Sequence, residues 1–249
     1  MLTQERYNMI INAVEARNTV TVAELVNIIG TSESTIRRDL NALDEMGKLR
    51  RVHGGAMVIQ EFVTAEADVN TKSQLCIDEK KAIGRYAAAT IKDGDFVYID
   101  AGTSTEHMID YITADKAVYV TNGIAHAKKL IARGMKVYVL GGLVKPSTEA
   151  VIGVEGVNNM KKFNFTKAFI GTNGINIEYG FTTVDVEEAV VKMEAVNRSY
   201  ISYVLADHTK FDKVSAVTFA SIEKACIVTD RTVKNKYKEA TLVKEVLNV

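Results

Sequence analysis

Six short stretches of the 249-residue sequence concentrate glycines, hydroxyls, amides and carboxylates where an apolar run has just ended. They are Asp100-Ala101-Gly102-Thr103-Ser104-Thr105-Glu106, Thr121-Asn122-Gly123, Gly141-Gly142, Gly171-Thr172-Asn173-Gly174, Ala206-Asp207-His208 and Thr229-Asp230. Glycine lets a backbone approach a ligand closely, and the polar side chains supply donors and acceptors. Gly102, Thr103, Ser104 and Thr105 stand between an apolar run and a helical pattern, so their N–H groups and hydroxyls can hold a phosphate with help from the helix dipole. The same residues also read as a capping box from Thr103 to Glu106 that binds nothing. Asn122, Gly141-Gly142 and Asn173-Gly174 at the other stretches favour the ligand, because caps do not account for them together. No GxxxxGK[ST] or GxGxxG occurs, which disfavours nucleotides and dinucleotides.

Acid and base candidates at the same stretches are Asp100, Asp185, Glu187, Lys192, Asp207 and Lys210. Glu188 and Lys192, four apart on a helical stretch, read as a solvated ion pair. No Ser/His/Asp or Cys/His signature is present, and His53, His107, His126 and His208 lack the HExxH spacing, so neither a metal nor a cofactor is expected. The histidines read as buried or capping residues. Cys76 and Cys226 read as two separate buried thiols of a reducing cytoplasm.

A second constellation lies near the amino terminus. Six of the ten arginines fall within the first 51 residues, with Arg37, Arg38, Arg50 and Arg51 close together. Three helical patterns and a hairpin must position them. Tyr7, Ile10, Ile11 and Val14 make one stripe between Leu2 and Ala16. Thr21-Val22-Ala23-Glu24 is a capping box that opens a second helix running through Ile29 to Gly30. Ser32 or Thr31 caps a third helix, which turns Ile36, Leu40 and Leu43 inward and Ser34, Arg38 and Asn41 outward, with Arg37 on its flank, until Gly47. Leu49 to Val58 alternates around Gly54-Gly55 as a hairpin. Donors on the third helix suit base edges in a major groove, and Arg50, Arg51 and His53 on the hairpin can reach phosphates or a minor groove.

Beyond a segment without sustained period, residues 59–76, a helical stretch from Asp78 to Ile91 leads into the apolar runs Phe96-Ile99, Val118-Val120, Val137-Leu140, Ala168-Ile170, Tyr203-Leu205 and Ala225-Val228. Continuous runs separated by helices predict strands buried on both faces of a doubly wound parallel sheet, whose ligands bind outside the carboxyl ends. The predicted organisation is a domain of residues 1–58, a linker of residues 59–76 and a second domain of residues 77–249. With 31 basic and 31 acidic residues the net charge is zero, which excludes a polybasic or strongly acidic chain but averages over local patches. No basic leader with an apolar core, and no run of eighteen apolar residues, predicts targeting or a membrane partner.

Leu2-Thr3-Gln4-Glu5-Arg6, Ser32-Glu33-Ser34-Thr35-Ile36-Arg37-Arg38-Asp39-Leu40 and Arg51-Val52-His53-Gly54-Gly55-Ala56 together resemble the signature of the DeoR family of bacterial transcriptional regulators. The resemblance continues through Asp100 to Thr105, Val120-Thr121-Asn122, Leu140-Gly141-Gly142, Ala168 to Gly171 and Leu205-Ala206-Asp207. It implies an α/β protein with an N-terminal winged helix-turn-helix followed by a Rossmann-like α/β effector domain related to ribose-5-phosphate isomerase. It further implies a repressor of a carbohydrate operon, a homodimer or homotetramer, that leaves double-stranded operator DNA when a phosphorylated sugar, fructose 1-phosphate being one, binds the second domain. By resemblance the DNA-binding residues are Ser32, Ser34, Thr35, Arg37, Arg38, Asn41, Arg50, Arg51 and His53. The effector residues are Asp100, Gly102, Thr103, Ser104, Thr105, Asn122, Gly141, Gly142, Asn173, Glu187, Lys192, Asp207 and Lys210. Isomerases of the related fold carry an Asp-Gly-Ala-Asp loop where this chain has Thr172-Asn173-Gly174-Ile175, without a carboxylate to act as base. An isomerase with an accessory domain is therefore the lesser expectation.

Overall fold

The computed structural model describes residues 2–59, 61–65 and 67–246; Gln60 and Glu66, both in the segment expected as a linker, lie outside the described residues. The chain divides into two compact units, Met1–Glu61 and Phe62–Val249.

The first unit contains helices α1 (Thr3–Arg17), α2 (Val22–Ile29) and α3 (Glu33–Glu45) and strands β1 (Thr19–Thr21), β2 (Arg50–Val52) and β3 (Gly55–Met57). The α2 capping box forms as expected: Thr21 Oγ1 accepts the Glu24 N–H at 3.2 Å, and the Glu24 carboxylate accepts the Thr21 N–H at 2.8 Å. Gly30 then takes the left-handed conformation, φ 72°, that closes a helix without a Cβ penalty. Ile10, Val14, Leu25, Ile36, Leu40, Leu43 and Leu49 pack into one core. The hairpin gains a strand that its own periodicity does not announce, because β1 pairs antiparallel with β3 to give the order β1-β3-β2.

In the second unit, α4 (Val69–Ser73), α5 (Ile77–Ala89), α6 (Thr103–Ile109), α7 (Ile124–Ala132), α8 (Gly153–Met160), α9 (Val186–Asn197) and α10 (Asn235–Ala240) surround a seven-stranded sheet. Its strands are β4 (Phe96–Ile99), β5 (Val118–Thr121), β6 (Lys136–Val139), β7 (Phe165–Gly171), β8 (Ser199–Leu205), β9 (Cys226–Thr229) and β10 (Val243–Glu245). They are parallel throughout, in the order β10-β9-β8-β7-β4-β5-β6. Alternate residues feed two cores. Val97, Ile99 and Phe169 pack with Ile83, Met108 and Leu130, whereas Tyr98, Ala168 and Ile170 pack with Val191, Ala195 and Met160. That double burial is why these strands read as unbroken apolar runs.

Three expectations need correcting. The run Val137-Leu140 forms β6, but as an edge strand with one neighbour it leaves Tyr138 and Val139 each 44% exposed. The segment 59–76 has no sustained period because its elements are short, a strand at Glu61–Val63 and the helix α4, each too brief to show one. Cys76 and Cys226 are free thiols as expected but only half-buried. Helix α5 lies close on α6 because Gly84 has no side chain; a Cβ there would stand 2.8 Å from the Met108 backbone nitrogen.

Candidate functional site

In the first unit, α3 is held by ionic and hydrogen-bonded contacts that leave some donors occupied and others available. Its amino end is capped by Ser32, whose Oγ accepts the Thr35 N–H at 3.3 Å and lies 2.9 Å from the Thr35 hydroxyl. Thr35, expected among the DNA contacts, is thus half-buried and engaged in the cap. Arg37 donates to Glu33 one turn earlier, Nε at 2.8 Å. Arg51 donates from its guanidinium to the Asn41 side chain and from its backbone to Asp44 at 3.3 Å, which ties the hairpin to α3. Ser34 is exposed, and its hydroxyl lies 3.0 Å from that of Ser32. Arg38, Arg50 and His53 are exposed, with no hydrogen-bond or ion-pair partner among the described residues. Underneath, the buried Asp39 carboxylate accepts two hydrogen bonds from Arg6, one of them at 3.0 Å, which fixes α3 against α1 and raises the arginine pKa. Asp39 lies one position from the exposed Arg38, and its acidic character on the buried face was the signal for that pair.

In the second unit the strand order reverses at β4 and β7. Chain order runs outward from β4 through β5 and β6, then returns to the other side of β4 with β7, so a crevice opens beyond the carboxyl ends of these two strands. Asp100 bridges them: its Oδ2 accepts the Gly171 N–H at 3.0 Å and the Lys192 ammonium at 2.5 Å. Both side chains are nearly inaccessible, and burial pushes the Asp100 carboxyl above its ordinary pKa despite the lysine. A cavity of about 200 Å³ sits over this pair.

Of the expected effector residues, Gly102, Thr103, Ser104, Asn173, Lys192, Asp207 and Lys210 line that cavity, and Asp100 lies below it. The others do not face it. Thr105 is fully buried, its hydroxyl 2.6 Å from the Asp100 carbonyl and 2.7 Å from that of Gly102, and no side chain caps α6. The Thr103-to-Glu106 capping box is therefore absent; the hydroxyl that would sit nearest the turn folds back on it. Asn122 is a buried clamp, accepting the Ala101 N–H at 2.8 Å and donating to the Val151 carbonyl at 3.1 Å. Gly141 and Gly142 lie exposed beyond β6, where Gly142 takes φ 149°. Glu187 is exposed on the outer side of α9. Glu188 and Lys192 are not a solvated pair: both are buried, Lys192 on Asp100 and Glu188 on Lys145 at 3.1 Å and the Thr148 hydroxyl at 2.9 Å.

Lys72, Cys76, Lys80, Thr148 and Glu188 also line the cavity and were not anticipated, as do Thr172 and Thr209 from stretches that were expected to reach it. Two of them carried a readable signal. Lys80 is in helical phase with the buried Ile83, Gly84 and Ala87, and Glu188 with Val191, Lys192 and Ala195. A charge on the apolar stripe of a helix must meet a partner or a ligand. Burial lowers the Lys80 pKa, against the pull of nearby Asp207. A second cavity of about 240 Å³ shares Val69, Gly102 and Thr148 with the first and is lined by Glu106, His126 and Glu149. His126 is fully buried, and that holds its pKa down to about 4. Glu79, His208 and Asp230 bring ligand atoms within 4.8 Å of one another, but Asp230 already accepts from His208 Nδ1 at 2.8 Å and from Arg231 at 3.3 Å.

Residues 6–62 match the DeoR-like helix-turn-helix domain, and residues 75–231 match the DeoR C terminal sensor domain. The chain is 43% identical to the HTH-type transcriptional regulator FruR of Bacillus subtilis over 99% of each chain. It is 30% identical to the lactose phosphotransferase system repressor of Staphylococcus aureus over 92% of each. Among solved structures, ribose 5-phosphate isomerase A of Methanocaldococcus jannaschii covers 54% of each chain at 12% identity and a TM-score of 0.39, too loose a likeness to assign an activity. No described helix is long and apolar enough to cross a membrane.

Proposed function

Because the chain belongs to the DeoR family of DNA-binding transcriptional regulators, we propose that it represses a carbohydrate-utilisation operon and responds to a phosphorylated sugar bound at the β4–β7 crevice. The observation that carries this reading is the charge of the cavity wall. Lys72, Lys80, Lys192 and Lys210 line it with Glu188 and Asp207, and with Lys192 compensated by Asp100 and Glu188 by Lys145 the wall still carries more ammonium than carboxylate charge. An anion neutralises that surplus, while Asn173, Thr148, Thr172 and the two carboxylates suit hydroxyl groups. About 200 Å³ is below the range of about 300–1,000 Å³ usual for drug-sized ligands, which favours a single compact metabolite. Fructose 1-phosphate is the first candidate, since a relative in B. subtilis carries the name FruR.

In this reading residues 1–58 are the reader, and the exposed Ser34 and Arg38 address base edges while Arg50 and His53 contact phosphates or a minor groove. Arg37, Asn41 and Arg51 exchange their internal partners for DNA or brace those that touch it. Residues 59–76 and 77–249 together build the sensor, in a cytoplasmic protein. One winged domain reads a half-site, so a homodimer or homotetramer supplies the second. The family acts by binding DNA and not by catalysis, and the loop Thr172-Asn173-Gly174-Ile175 holds no carboxylate for an isomerase.

A thermal-shift screen of hexose and pentose phosphates, with each hit retested on DNA upstream of the chain's own gene, tests the proposal. A coupling of about 1–3 kcal/mol would weaken operator binding by about 5–150-fold. A panel that moves neither the melting temperature nor operator affinity overturns the effector reading. Equal affinity for upstream and unrelated DNA at every salt concentration overturns the operator reading.

A further inference from the structure

Outside the crevice a nitrogen and two carboxylates meet from three elements. Glu79 lies in the first turn of α5, His208 opens the turn after β8, and Asp230 follows β9, the parallel neighbour of β8. One ligand atom of each stands within 4.8 Å of the other two. The sequence hides this cluster, because His208 and Asp230 are 22 residues apart, Glu79 is further still, and no single helix or loop carries the spacing. Glu79 and His208 keep 22% and 30% of their side chains exposed, so an ion can reach a site whose floor, Asp230, is 1% exposed.

Among the described residues, Arg231 is the one arginine or lysine against these carboxylates, with Nε 3.3 Å from Asp230 and a terminal nitrogen 3.7 Å from Glu79. Both contacts are longer than the about 2.7–2.9 Å of a good charge-assisted hydrogen bond. One guanidinium, itself 60% exposed, thus serves two carboxylates and leaves a negative charge over. An imidazole nitrogen with two carboxylate oxygens is a donor set for a borderline divalent ion such as Zn2+ or Mn2+, whereas Mg2+ and Ca2+ take oxygen alone. Donors held about 2.1 Å from such an ion stand about 3.4 Å apart at a tetrahedral angle. His208 Nδ1 and Asp230 Oδ2, now 2.8 Å apart, therefore need to open by only about 0.6 Å. With the ion on Nδ1 the ring proton sits on Nε2, so a neutral imidazole loses no proton. Asp230 Oδ1 meanwhile accepts the His208 N–H at 2.6 Å, which orients the carboxylate as an outer contact.

We propose that Glu79, His208 and Asp230 bind one divalent transition-metal ion, which displaces Arg231 into solvent. The ion ties the start of α5 to the ends of β8 and β9. Glu79 precedes Lys80 and His208 follows Asp207, both residues of the cavity wall, so the ion braces that wall whatever fills the cavity. Three protein donors leave further coordination positions to water.

The test titrates the full chain, stripped with chelator, with Zn2+ and Mn2+ in turn. Binding is followed by calorimetry and, for Mn2+, by loss of the free ion's electron paramagnetic resonance signal. One ion per chain should bind in the micromolar range, and a concentration about a hundred times the Kd should raise the melting temperature by at least about 3 °C. Glu79→Gln and His208→Gln, both at partly exposed side chains that the fold can spare, should each weaken binding at least about tenfold. Arg231→Ala removes the competing cation and should tighten binding about threefold or more. Failure of both ions to bind the wild type stoichiometrically overturns the proposal. So does binding that is undiminished in both glutamine variants, which would place the ion elsewhere, or binding that weakens in Arg231→Ala.

Discussion

Replacing Lys192 by methionine keeps most of the side chain's bulk and removes the charge that faces Asp100 across 2.5 Å, where the two side chains are 6% and 1% exposed. Removing one partner of such a buried pair costs about 3–5 kcal/mol, because the other charge is left uncompensated. The cost must depend on pH in a determined direction. An unfolded aspartate titrates near 3.9, and burial already holds the folded Asp100 carboxyl above its ordinary value. Loss of the lysine raises it further. Between the unfolded and folded values the native state binds more protons, so stability falls as pH rises through that window, by about 1.36 kcal/mol per pH unit. At pH 5, 1.1 units above the unfolded value, the charge-related loss is limited to about 1.5 kcal/mol; at pH 8 the whole 3–5 kcal/mol can appear. The wild-type-minus-variant difference should therefore grow by at least about 1.5 kcal/mol from pH 5 to pH 8. Urea series read by pulsed hydrogen exchange in β4 and β7 report the sensor unit specifically. The combination Lys192→Met with Asp100→Asn should remove most of the pH dependence. A difference that stays constant within about 0.5 kcal/mol across that pH range would refute the account of Asp100 as a buried charge.

Three further outcomes are expected. Arg38→Ala should cost about 1–3 kcal/mol of operator binding with discrimination lost at one base position, whereas Arg50→Ala should weaken all sequences alike and flatten the log–log salt slope by about 0.9 per protomer; shift assays at several salt concentrations separate the two. His126, held near pKa 4 by burial, is neutral in the folded protein, so stability should drop as pH falls from about 6.5 toward 4; melting curves of His126→Gln should show a shallower acid decline. Gly84→Ala places a Cβ 2.8 Å from the Met108 nitrogen, a backbone atom that cannot turn aside, and should lower sensor stability by about 1–3 kcal/mol in denaturant unfolding.

Much of the fold could be read along the chain because its signals are local. The Thr21–Glu24 capping box, the stripe of Ile36, Leu40 and Leu43, and the six apolar runs each depend on neighbours within a few residues, and each formed the expected element. Elements whose identity rests on a distant partner were not visible. β1 exists because β3 lies beside it, and β10 because β9 does. The site divides in the same way. Gly102, Thr103 and Ser104 follow a strand and could be placed from that alone, whereas Thr105 and Asn122, equally polar, turn inward to satisfy backbone groups of neighbouring loops.

By itself the sequence determined the types of the locally encoded elements, the segregation of arginines onto one helix and one hairpin, and the concentration of polar groups at strand ends, since all three follow from side-chain period and local hydrogen bonding. Only the tertiary structure decided which of those groups meet. The reversal of strand order between β4 and β7 joins Asp100 to Gly171 and Lys192. The packing of α4 and α5 above the same strand ends brings in Lys72 and Lys80. A charge on a helix stripe records that something must compensate it, but its partner lies tens of residues away and is fixed by topology.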